Sequence, residues 1–297
     1  MDLVSIVRAL RKFWDPVFYV ASPAYTEKSS GVRCLYLLCH HLNRLGYPAY
    51  ITDRGAPRDL LTPLIGATFM EARRRAGVRD IVVYPEVQAG NPLGGKRVVR
   101  YLLNKPGWFT GVGMEGYGPR DYFIHFADEF LPVGLKSQRL MLPLVDETIY
   151  GQPGPQHGRR GFLIYCHRRK LDLSQIPTWV SPYQIISMEN PRSHRELAAL
   201  YQNSLALIIG ERTAASNEAI LCGCPVIAIP GDSYDPSPTI RRFGGNGFVV
   251  GWDQAELRRA EDTVPLAIQA YYRLFRRLDF EIHQFVRLAI QHFQSVS

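Results

Sequence analysis

The chain has 297 residues, 46% of them hydrophobic, and a formal net charge of +8. That length holds two modest α/β domains or one large one, and glycine and proline are spread without a low-complexity tract or repeat, so the chain is expected to fold throughout. The charge admits nucleic acid, anionic membrane and phosphorylated small molecules as partners, but no zinc finger, helix-turn-helix or RNA-binding aromatic motif accompanies it, and nucleic acid is set aside.

At the N-terminus Asp2, Arg8, Arg11 and Lys12 interrupt the apolar residues, so no secretory core is read there, and no later run reaches membrane-spanning length. The first apolar run, 17–22, predicts a strand. A polar loop follows, then a helix over 31–45 stopped by Gly46, then a strand over 49–52. Ser29-Ser30-Gly31-Val32 occupies the turn onto that helix, where Gly31 permits close backbone approach by a phosphate or a sugar; an N-cap by Ser29 or Ser30 is the alternative. A strand over 81–86 ends on Glu86 and runs into Gly90-Asn91-Pro92-Leu93-Gly94-Gly95, with a basic helix expected over 96–103. Those glycines are also ordinary turn chemistry. A strand over 122–126 carries His125 inside an apolar run, where a histidine is more often a hydrogen-bonded core residue than a catalyst. Linker composition over 150–160 puts the domain boundary there, giving domains 1–150 and 151–297.

The second domain restarts with a strand over 161–166 that runs into His167-Arg168-Arg169-Lys170. A strand over 184–188 ends on Met188, where backbone groups can meet a base. A helix over 194–203, a strand over 205–209, a helix over 213–221 and a strand over 226–230 follow, the last three forming one βαβ crossover. Cys222 and Cys224 lie in the turn between them, and with Cys34, Cys39 and Cys166 they form no Cys-x-x-Cys pair. Buried thiols in a reducing cytosol are expected. A glycine turn over 244–247, a strand over 248–250 and one or two basic, aromatic amphipathic helices end the chain. Those helices either pack on the domains or also lean on anionic lipid.

Glu211 sits where strand gives way to helix, at the edge where open α/β sheets bind ligands, and Glu218 about two turns further on. A diphosphate can rest on the amides of Thr213, Ala214 and Ala215 at the helix start. Carboxylates accept pairs of sugar hydroxyls, so Glu218 suits a ribose and Glu211 a transferred sugar; a solvated helix start and an ordinary helix-face charge are the alternatives. Arg168 and Lys170, at the end of the domain's first strand, can reach the same diphosphate as its charge builds up, unless they form a solvated basic loop.

The string Asn217-Glu218-Ala219-Ile220-Leu221-Cys222-Gly223-Cys224-Pro225-Val226-Ile227-Ala228 resembles the donor-site signature of GT-B glycosyltransferases, particularly the retaining family 4. The resemblance implies an α/β GT-B fold of two Rossmann-like domains facing across a cleft, with C-terminal helices. It also implies that Glu211 contacts the donor sugar and Glu218 the ribose, that an Arg and a Lys such as Arg168 and Lys170 hold the diphosphate, and that His125 faces the cleft. Gly31 resembles the family's N-terminal glycine loop, and the Glu86 side accommodates the acceptor. Retention of configuration follows from the resemblance alone.

The expectation is therefore a cytoplasmic sugar transferase, with the inner face of the plasma membrane as its second place, that uses a nucleotide-sugar donor and a glycan or lipid-linked acceptor in bacterial surface-glycan synthesis. No cofactor or metal is expected, since no Asp-x-Asp occurs. The rival readings are a related epimerase or phosphorylase, or a nonenzymatic basic adaptor on membrane or RNA.

Overall fold

The computed structural model describes residues 16–75, 79–155, 158–167, 171–232 and 234–296. Chain contacts divide it into two compact units, Met1–Leu144 with Arg277–Ser297, and Val145–Arg276. The chain passes from the first unit to the second after Leu144 and returns to the first at Arg277.

The first unit carries β1 (Phe18–Val20), α1 (Ser30–Arg44), β2 (Ala49–Ile51), α2 (Ala67–Arg75), β3 (Ile81–Pro85), β4 (Arg97–Leu102), β5 (Tyr122–His125) and β6 (Gln138–Arg139). Its strands form one sheet in the order β2-β1-β3-β4-β5-β6, every neighbouring pair parallel. Parallel strands are covered on both faces, which is why they read as continuous apolar runs. The period of two still sorts them. Phe18, Val20, Ile81 and Val83 join one core with α1, while Tyr19, Val82 and Tyr84 join another on the opposite face. Helix α1 begins with Ser29, whose side chain accepts from the Val32 amide, and the chain leaves it through Gly46 at φ 86°.

Residues 96–103, expected as a basic helix, form β4 instead. Val98, Val99, Tyr101 and Leu102 are buried in the sheet, and the chain enters through Gly94 at φ 64° and Gly95, where a Cβ would collide with Val82. Arg100, one of the run's three basic residues, is itself 1% exposed and paired with Asp121 at 2.6 Å. Tertiary pairing overrides the local polarity.

The second unit carries α3 (Glu147–Tyr150), β7 (Phe162–Cys166), β8 (Tyr183–Ser187), α4 (His194–Asn203), β9 (Ala206–Ile209), α5 (Ala215–Leu221), β10 (Val226–Ala228), α6 (Ser237–Arg242), β11 (Phe248–Val250) and α7 (Gln254–Phe275). Its sheet order is β11-β10-β9-β7-β8, again wholly parallel. The segment read as a linker is fixed to this unit by the buried Arg159. Its guanidinium donates to the carbonyls of Pro155, Tyr201, Ser204 and Cys222.

The terminal amphipathic pattern forms two helices, α7 and α8 (Leu278–Ser295). Leu278, Ile282, Phe285, Val286, Ala289 and Phe293 give α8 one buried stripe, and that stripe belongs to the core of the first unit beside Phe18 and Leu35. No helix among the described residues is long and apolar enough to cross a membrane.

Candidate functional site

In a parallel sheet all strands end on one edge, and a crevice opens where the strand order reverses, because neighbouring connections there diverge to opposite faces. In the second unit that point lies between β7 and β9, which pair directly, Tyr165 opposite Ile209. The two chain ends leaving it meet. Glu211, two residues beyond β9, accepts the backbone N–H of His167, the first residue beyond β7, at 3.2 Å through Oε1. The His167 ring lies 4.6 Å from that of Tyr165, with Nδ1 2.9 Å from the Tyr165 hydroxyl.

Beyond Glu211 the chain turns into α5. Thr213 shapes the turn: its Oγ1 accepts the Ala215 amide at 3.2 Å and its carbonyl accepts the Ser216 hydroxyl at 2.9 Å. Ala214 begins the helix with no side-chain cap. Glu218 lies in the first turn of α5. Glu211 is 8% exposed and Glu218 5%, so neither is a solvated surface charge. A buried carboxylate must be held by hydrogen bonds, and its oxygens are then fixed acceptors for a hydroxyl-rich ligand. Met188 follows β8 and is 56% exposed. Arg168 and Lys170 lie outside the described residues.

The first unit repeats the arrangement. Its order reverses between β1 and β3, paired Val20 to Val83, and Glu86 is the first residue past β3. It is 5% exposed. Its carboxylate Oε2 accepts the Leu103 amide at 3.0 Å. Burial drives its pKa up from 4.5 to about 7, against the lowering pull of backbone N–H groups at Leu103 and Asn104. A carboxyl that changes charge near neutrality at the carboxyl edge of the sheet suits proton handling or hydroxyl orientation. Gly31 is in the first turn of α1, with Leu103 Cδ1 3.8 Å from where its Cβ would stand, so the backbone there does not require glycine. The N-cap alternative for Ser29 is realised. His125, at the end of β5, is buried and has Nδ1 2.9 Å from Ser137 Oγ and Nε2 3.1 Å from Asp128 Oδ1, so both ring nitrogens have protein partners.

Each unit thus gathers its own residues: Glu211, Thr213, Ala214, Ala215 and Glu218 in the second, Gly31 and Glu86 around Leu103 in the first. His125 stands two strands away from β3. Sequence reasoning passed over Arg100 and Tyr117. Arg100 stacks between the rings of Tyr84 and Tyr117, at 5.0 and 4.9 Å, and Tyr117 donates its hydroxyl to the Glu86 carbonyl at 2.6 Å. An arginine inside the apolar run Val98-Val99-Arg100-Tyr101-Leu102 was the available signal. Hollows of about 300 and 420 Å³ in this unit, around Arg54 and around Asn91 and Tyr117, contain neither Glu86 nor His125 in their lining.

Two all-parallel Rossmann-like units with the last helix returned to the first define the GT-B fold, and this chain adopts it. Among solved structures it is similar to a spinosyn forosaminyltransferase, with a TM-score of 0.51 and 14% identity over 93% of this chain and 100% of that one. It is also similar to sucrose-phosphate synthase from Thermosynechococcus elongatus, with a TM-score of 0.55 and 11% identity over 95% of this chain and 100% of that one. Identities this low speak for the fold alone. No protein-family model and no curated protein matches the chain.

Proposed function

We propose that the chain is a glycosyltransferase of the GT-B class, family 4-like, that moves a sugar from a nucleoside-diphosphate sugar to a hydroxyl acceptor, with retention and without a metal, in bacterial surface-glycan synthesis. One observation carries this reading: the buried Glu211 held by the His167 amide at the β7/β9 reversal, with Glu218 buried one turn into the helix that follows.

In this reading Glu211 accepts hydroxyls of the transferred sugar and Glu218 the two ribose hydroxyls. The turn at Thr213, Ala214 and Ala215, with Arg168 and Lys170, takes the diphosphate, and Met188 lies by the base. Positive charge and backbone N–H groups there stabilise the leaving group as the glycosidic bond breaks. Glu86 orients the acceptor hydroxyl, whose proton passes to the departing diphosphate as the new bond forms.

The test is calorimetric titration of the protein with a panel of nucleoside diphosphates and their sugars, with EDTA present. One member is expected to bind, and Glu218→Ala to weaken it by roughly 10- to 150-fold, the loss of a hydrogen-bonded carboxylate at about 1.5–3 kcal/mol. If no member binds, or the variant binds as the parent does, the reading fails.

A further inference from the structure

The connection after β4, residues 103–117, starts and ends on Glu86. At its start the Leu103 amide bonds the Glu86 carboxylate at 3.0 Å, and at its end the Tyr117 hydroxyl bonds the Glu86 carbonyl at 2.6 Å. A backbone bond from Gly90 to Gly116 at 2.8 Å ties the returning stem to the chain just past Glu86. Between the stems the loop is ordered by its own bonds, Trp108 to Lys105, Gly111 to Gly107 and Tyr117 to Met114, and Gly107 packs against Gly113. Closed ends and internal packing make it a compact Ω-loop, a type that commonly carries function.

Its tip is apolar and faces water. Trp108 and Phe109 are each 59% exposed, and Val112 and Met114 are exposed beside them. Val133, after β5 on the same sheet edge, is fully exposed. Large apolar side chains grouped on a surface mark a contact site, since each loses solvation free energy while it stays wet.

We propose that this loop grips the apolar body of the acceptor, a hydroxyl-bearing molecule with an alkyl or aromatic moiety, and thereby presents the hydroxyl to Glu86. The proposal rests on the glycosyl-transfer reading and adds the acceptor's chemical class to it. Continuity with Glu86 selects this occupant: one stem of the loop is tied to the Glu86 carboxylate and the other to its backbone carbonyl. A bilayer surface is the weaker fit. The loop's charged residues are Lys105 and Glu115, which cancel, whereas attraction to anionic lipid needs a cluster of basic residues.

The full chain is titrated calorimetrically with butyl β-glucoside, octyl β-glucoside and 2-naphthyl β-glucoside below micelle-forming concentrations, and separately with phosphatidylglycerol vesicles. Octyl glucoside is expected to bind at least tenfold more tightly than butyl glucoside, since each added methylene contributes when buried. Trp108→Ser and Val112→Ser are expected to lower octyl glucoside affinity at least fivefold without moving the melting temperature, while Leu266→Ser on α7 leaves it unchanged. Preference between the octyl and naphthyl probes separates a chain from a ring, and either supports the proposal. Equal binding of butyl and octyl probes, unchanged binding by the loop variants, or vesicle binding that Trp108→Ser abolishes while the glucosides bind weakly would each overturn it. Nucleoside-diphosphate binding in the same protein keeps the two readings apart. If nucleotides bind and glucosides do not, only the loop proposal falls; if glucosides bind and nucleotides do not, glycosyl transfer falls.

Discussion

Glu86 changes charge where most cell interiors operate because the fold takes it out of water and replaces only part of its hydration with backbone N–H groups. Its pKa is raised in the folded state, so the neutral form is favoured there. The stability this gives is complete below the ordinary carboxyl value of 4.5, declines as pH rises towards about 7, and is flat above. Glu86→Gln removes the ionisation while keeping one acceptor oxygen for the Leu103 amide. Chemical denaturation should therefore find the variant equal to the parent near pH 4 and more stable at pH 8, by about 1–3 kcal/mol. In turnover the signs reverse. An ionised Glu86 is the better acceptor for a substrate hydroxyl, so acceptor kcat/KM should rise between pH 6 and 8 in the parent and be low and flat in the variant. A variant that loses stability at pH 8 would show that the carboxylate is needed as a structural anion instead.

At the level of elements, what could be read from the sequence was set by local signals. Helix α1 is legible to within a residue because Ser29 caps it and Gly46 ends it, both through backbone chemistry that neighbours alone decide. The crossover β9-α5-β10 is legible for the same reason, with Gly223 at φ 78° closing the helix. Strand β4 is not, because Arg100 becomes tolerable in a sheet only through Asp121 and the carbonyls of Gln88 and Gly90, which lie elsewhere in the chain. Arg159 is the same case in the second unit. Its sequence surroundings read as a linker, yet its guanidinium serves carbonyls at the ends of α4 and α5, where the helix dipoles also favour a cation. Arg159→Ala removes the charged donor from those buried carbonyls, leaving the Gly154 amide on Cys222, the Ser204 amide on Tyr201 and the Cys224 thiol on Ser204, and should destabilise the second unit by about 1.5–3 kcal/mol. Hydrogen exchange that slows nothing in β7 to β10 but quickens them would report it, and unchanged protection there would mean water replaces the guanidinium without cost.

Across the whole molecule, the sequence order of the chain and the order of its units differ, and no local signal announces this. An amphipathic stripe shows that α8 must be covered, but not by which sheet, and both sheets present apolar faces. The candidate site divides in the same way. Glu211 and Glu218 were visible because their motif is contiguous, whereas the raised pKa of Glu86 depends on burial that only the assembled sheet supplies. The return of α8 has a mechanical consequence. The first unit is built from two separate stretches of chain, and Leu278, Ile282, Phe285, Val286 and Phe293 are buried in its core. Full burial of each such side chain contributes about 1.5–3 kcal/mol, so losing all five costs about 7.5–15 kcal/mol, the same size as the net stability of an ordinary domain, about 5–15 kcal/mol. The second unit is one continuous stretch that α8 does not help to build. A chain ending at Arg276 should therefore lose hydrogen-exchange protection in β1, β3 and β4 while β7, β9 and β10 keep theirs. In the full chain Phe285→Ala, which removes a ring centred 5.8 Å from that of Phe18, should show the same polarity at a smaller cost of about 3–5 kcal/mol. Protection lost equally in both sheets would mean that the units fold as one, and protection retained in β1 and β3 would mean that α8 is an ornament on a core already complete.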